Sequence, residues 1–179
     1  RETRFFERGN WQMPLDTVAS DVPSILNDWD MEWDKNRLGL AKWLVSDANP
    51  LTSRTVVNRI WYQIFGRGIV STIEDMGTQS EPPTHPALLD WMAVHFMEDQ
   101  QWDLKALIKS IVMTATYQQS SAIDEYKYRL DPNNIFYSRG PKLRLQAEEI
   151  RDQALAVAGL LSPKMGGMGV MPPQPDGIW

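Results

Sequence analysis

The sequence predicts a mainly α fold, an irregular bundle of four to five helices with an extended N-terminal arm and a Pro/Gly/Met-rich C-terminal tail. Apolar residues recur at helical spacing in five segments between Leu38 and Leu161, the pattern a helix needs to bury one face. Proline, glycine and Asx residues stand where those segments start and stop. Only Thr3 to Glu7 reads as a short strand.

The arm covers residues 1–35, because Gly9, Asn10, Pro14 and Pro23 break it into turns. The helical body covers residues 36–162. Leu38, Ala41, Leu44 and Val45 open it, and Asn49-Pro50 marks a stop and a restart. Val56, Val57, Ile60, Trp61, Ile64 and Phe65 stripe the second helix, which Gly66 suits as a left-handed terminator. Beyond a loop rich in Gly, Pro, Ser and Thr, Pro86 takes a first helical position with His85 near the N-cap. Leu89, Met92, Ala93 and Phe96 supply that helix's buried face. Asp103 is placed to cap a fourth helix, whose stripe of Leu104, Leu107, Ile108, Ile111, Val112 and Ala115 is the cleanest in the chain. After the Asp131-Pro132 connector, a last helix carries Ala147, Ile150, Ala154, Val157, Ala158 and Leu161 on one face and ends at Pro163. Residues 163–179 read as a loop-like tail, and the chain is expected to stop before the rest of its domain.

A length of 179 residues with 42% hydrophobic content suffices for one domain with a real core. The absence of cysteine excludes disulfides, thiolate zinc sites, cysteine nucleophiles and covalent c-type haem attachment within the chain. The net charge of -5, with no basic run, argues against nonspecific nucleic-acid binding. Apolar runs such as Ile111 to Ala115 are far too short to span a bilayer. Eight tryptophans suit a core better than a ligand surface.

The strings LAKWLVSDANPLTSRTVVNRIWYQIFGRGIV, EPPTHPALLDWM, MTATYQQSS, RLQAEEIRDQALAVAGLL and PPQPDGIW, in that order, resemble one family. It is the uncharacterised PSD-type C-terminal domain of large planctomycete-type proteins, and the resemblance runs from about Arg8 to Trp179. It implies a periplasmic or secreted protein and a c-type haem in an upstream domain, with no cofactor in this chain. The partners it implies are the other domains or remaining part of the same protein. No catalytic residue is carried over by it.

The best site candidate is the loop Glu74 to His85, where Glu74, Asp75, Glu81 and His85 lie between two strong helices. A carboxylate beside His85 suits proton transfer, and Arg59 or Arg67 suits an anionic substrate. Asp75, Glu81, His85 and Arg59 are the catalytic candidates of a hydrolase acting on a carbohydrate or its ester. Against this stands a structural reading in which His85 caps its helix, prolines stiffen the approach and the carboxylates pair with the arginines. His85 and His95 are ten residues apart, about 15 Å along a helix, so they cannot share a metal. The acidic run Asp28 to Asp34 has Trp33 and Gly39 where an EF-hand loop needs its glycine and its glutamate. It reads as a solvated turn anchored by Trp29 and Trp33, which with Arg67 are binding candidates, the tryptophans for a sugar. Gly66-Arg67-Gly68 follows a helix rather than a strand, so it is a helix stop and not a phosphate loop. Met165, Met168 and Met171 are soft enough for Cu(I), but a loop in which they fill gaps against the body is preferred. No metal site is assigned. The leading expectation is a scaffold or binding module, without catalysis in this chain alone.

Overall fold

In the computed structural model, which describes residues 3–169 and 171, the chain is mainly helical and divides into two compact units, Arg1–Lys142 and Leu143–Trp179. The first unit opens with an antiparallel hairpin, β1 (Thr3–Phe6) and β2 (Pro14–Val18), in register Thr3↔Val18, Arg4↔Thr17 and Phe6↔Pro14. The arm is therefore paired as well as extended. Pro14, expected only as a turn residue, starts β2, a position where a missing N–H is tolerated. Arg8 and Gly9 turn the chain with φ of 47° and 77°.

Helix α1 (Arg37–Leu44) is capped by Asn36, whose Oδ1 accepts from Gly39 N–H at 3.0 Å. Trp43 is buried and its indole N–H donates to Asn27 O at 2.8 Å, pinning the preceding segment to the helix. Asn49 turns the restart into a cap for α2 (Thr52–Phe65): its buried Oδ1 accepts from the N–H groups of Leu51 and Thr52. Gly66, at φ 73°, ends α2 and donates to Tyr62 O. Helix α3 (Pro86–Glu98) begins at the predicted proline, with His85 as N-cap residue.

Val57, Trp61 and Phe65 of α2 form the core with Leu89, Met92 and Phe96 of α3 and with Leu107 and Ile111 of α4 (Leu104–Val112). The α4 stripe is narrower than its sequence pattern. Leu104 and Ile108 stay exposed, and Ala115 falls in a separate turn, α5 (Ala115–Gln118), because the Thr114 hydroxyl caps a new start at Tyr117 N–H. Helix α6 (Glu125–Leu130), capped by Asp124, is a second short element beyond the predicted five. Both are too short for periodicity to reveal. Asp103 caps α4 through the N–H groups of Lys105 and Ala106. Asp103→Ala is expected to destabilise the fold by about 1 kcal/mol, read as a lower thermal midpoint.

In the second unit, α7 (Ala147–Val157) starts with Glu149 accepting from Gln146 N–H at 2.8 Å. The helix ends before Leu161 and Pro163. Gly159, at φ 69°, takes the left-handed position and the N–H of Leu160 closes on Leu155 O, a glycine stop that acts before the proline is reached. No residue of α7 is buried. Met165, Met168 and Met171 are at least 92% exposed. The predicted PPQP segment lies outside the described residues.

Candidate functional site

The connection from α2 to α3 is built in two layers. Its inner residues, Ile69 and Val70, are buried, and the fully buried Asn58 of α2 holds Val70. Asn58 Nδ2 donates to Val70 O at 3.0 Å and its Oδ1 accepts from Val70 N–H at 2.9 Å, so the side-chain amide pairs with the loop as a strand would. Gly68 must lack a side chain, because a Cβ there would strike Val70 O and both polar atoms of Asn58. From the opposite side, Tyr137 packs on Trp61 and Phe65, and its hydroxyl lies 3.2 Å from the carbonyls of Arg67 and Gly68. Burial pushes the Tyr137 phenol above its ordinary pKa.

The outer layer, residues 71–85, is exposed to half-buried and folded on local bonds. Asp75 accepts from Gly77 N–H at 2.8 Å, Ser80 Oγ donates to Gly77 O at 2.7 Å, and Thr84 N–H returns to Ile69 O at 2.9 Å. Glu81 accepts from Ser71 Oγ at 3.0 Å and lies 3.9 Å from the Arg67 guanidinium. His85 Nδ1 is 2.9 Å from Thr84 Oγ1, and the ring packs on Phe136 and Tyr137. The His85 side chain makes no capping bond. Arg59 is exposed on α2 and makes no ion pair among the described residues. Glu74 is exposed. No hydrogen bond or ion pair joins any two of Asp75, Glu81, His85 and Arg59.

What the loop does shape is a groove of about 330 Å³ against the starts of α2 and α3. Leu51, Val70, Met76, Pro83 and Leu89 give it apolar walls, and its charged groups are Glu81 and an ion pair, Arg54 Nε to Asp90 Oδ1 at 2.7 Å, with Thr78 and Ser80 beside them. Arg54 also donates to Pro50 O. Of the predicted site residues Glu81 lines the groove; Asp75, His85, Arg59 and Arg67 do not. Arg54 and Asp90 were not singled out in the sequence. They are 36 positions apart, and no local pattern marks two residues that meet only when α2 packs on α3. The groove sets a charge pair beside apolar walls, an arrangement suited to holding and orienting a ligand.

Trp29 and Trp33 sit elsewhere in the first unit. Their rings meet edge to face at 6.5 Å, and Trp29 Nε1 donates to Trp33 O at 2.9 Å. Trp29 lines a second cavity of about 260 Å³; Trp33 backs it without lining it. At the rim, Asp21 is held below the usual carboxylate range by Val22 N–H and by the Lys35 ammonium at 3.3 Å. Among the described residues, no three His, Cys, Asp or Glu side chains converge as metal ligands.

The model of one family, described as PSD1, protein of unknown function (DUF1553), matches residues 36–179. The chain belongs to the PSD1 family. The match takes in the groove and, among the described residues, every α-helix, while the hairpin and Trp29 precede it, so the PSD1 portion starts later than the resemblance from Arg8 suggested. No curated protein and no solved structure matches the chain.

Proposed function

We propose that this chain is a binding or scaffold module, not the catalyst, of a larger exported protein. The observation that carries this reading is the separation of the loop's reactive groups. Asp75 is committed to a turn, Glu81 to Ser71 and Arg67, and His85 to Thr84 and the aromatic wall of Phe136 and Tyr137. A hydrolase working through Asp75, Glu81, His85 and Arg59 would need them in one cleft. The export and the neighbouring c-type haem domain rest on the resemblance of the sequence strings alone, and the haem belongs to that other domain. No helix of the described residues is long and apolar enough to cross a membrane.

Incubation with chromogenic acetyl esters and aryl glycosides is expected to give no turnover above buffer. His85→Ala is expected to cost roughly 1–2 kcal/mol of stability through lost packing, with the same null result in both assays. Turnover by the native protein that His85→Ala abolished at unchanged thermal midpoint would overturn the reading.

A further inference from the structure

We propose that the Trp29 cavity is a binding subsite for one acidic sugar ring, a pyranose carrying a carboxylate or a sulfate. The inference deepens the binding-module reading and rests on it.

The wall of the cavity is a fixed aromatic plate. Trp29 Nε1 is bonded to Trp33 O, the Trp33 ring braces it edge-on, and its benzo edge lies so close over Gly39 that a Cβ there would come within 2.6 Å of Trp29 Cζ2. A plate already held in place loses little side-chain entropy when a ligand stacks on it. A flat indole face matches the C–H face of a pyranose, and the cavity of about 260 Å³ has room for a single ring rather than an extended chain.

The charge at the rim selects the sign. Lys35 is matched by Asp21 at 3.3 Å, whereas Arg37, also lining the cavity, is exposed and has no ion-pair partner among the described residues. One guanidinium is therefore left over beside the plate, and its fork fits a carboxylate or sulfate through two parallel hydrogen bonds. Ser20 Oγ and Asn36 Nδ2 add polar groups for ring hydroxyls; Asn36 spends only its Oδ1, on Gly39 N–H.

Calorimetric titration of the whole chain with trigalacturonate, a chondroitin-type sulfated disaccharide and neutral maltotriose tests this. Saturable binding of one or both acidic sugars, weakened by salt and at least about tenfold tighter than maltotriose, is expected. Binding of trigalacturonate assigns a carboxylate; binding of the disaccharide, which carries a carboxylate as well, assigns a sulfate where desulfation abolishes it. Arg37→Gln is expected to weaken acidic-sugar binding about tenfold or more at unchanged thermal midpoint, and it serves where Trp29→Ala fails to fold. Absence of binding to both acidic sugars, equal binding of maltotriose, or indifference to Arg37→Gln would overturn the proposal. Absence of binding together with absence of turnover would sink the sugar site and leave the non-catalytic reading standing.

Discussion

Asn58→Ala is expected to lower the unfolding free energy by about 3 kcal/mol, since it strands a buried donor and a buried acceptor at once. Both are on Val70, which is itself buried and anchors the loop that shapes the groove. No water can reach them without opening that loop, so the desolvation cost is borne by the native state alone. Asn58→Asp should be no milder: it keeps an acceptor for Val70 N–H but turns a carboxylate oxygen toward Val70 O in a site with no exposure. Urea unfolding of the three proteins gives the comparison. A loss under about 1 kcal/mol for Asn58→Ala would mean that the Asn58–Val70 pair is not what holds the loop. Gly68→Ala belongs to the same unit, because its Cβ would collide with that pair, and its effect should not add to that of Asn58→Ala.

Tyr137→Ala is expected to cost about 3–5 kcal/mol, the loss of a large buried aromatic, while Tyr137→Phe costs about 1 kcal/mol for its hydroxyl bond alone. The ring fills the space between Trp61, Phe65 and His85, and it does so from a left-handed backbone position, φ 53°. A bulky residue is held there only because its surroundings over-determine it. Those surroundings are a tight loop in which the buried Asp131 accepts from Ile135 and Phe136 N–H and Arg139 donates to Asp131 O. The pH dependence separates hydroxyl from ring. With its pKa raised by burial, Tyr137 contributes stability that is fully present below about pH 10, the unfolded value, and is lost as pH rises toward the higher folded value. Denaturation midpoints measured between pH 8 and 11 should fall less steeply in Tyr137→Phe than in the native protein; equal slopes would contradict the burial argument.

The helices were legible because each signal is local. The α2 stripe, the Gly66 stop, Pro86 at the start of α3 and the Asp103 cap involve residues within a turn or two of one another. Where the reading fell short, a competing local signal or a short element was responsible. Gly159 stopped α7 before Pro163, and α5 and α6 have too few residues to show a period. The candidate loop was found by composition, as a polar segment between two apolar stripes. Composition could not say which way its side chains turn: His85 goes to the aromatic wall, Asp75 to its own turn and Glu81 to the groove.

Sequence by itself determined that this chain is helical, where its main helices begin, and that it holds no thiol chemistry or cysteine-bound metal within its 179 residues. Tertiary structure alone decided the groove, by bringing Arg54 to Asp90, and the second cavity, by laying Trp29 on Gly39 beside Arg37, which has no ion-pair partner among the described residues. The reason is range. Caps and stripes are written in neighbours three or four residues apart, whereas a site is a convergence of side chains whose chain separation leaves no periodic trace.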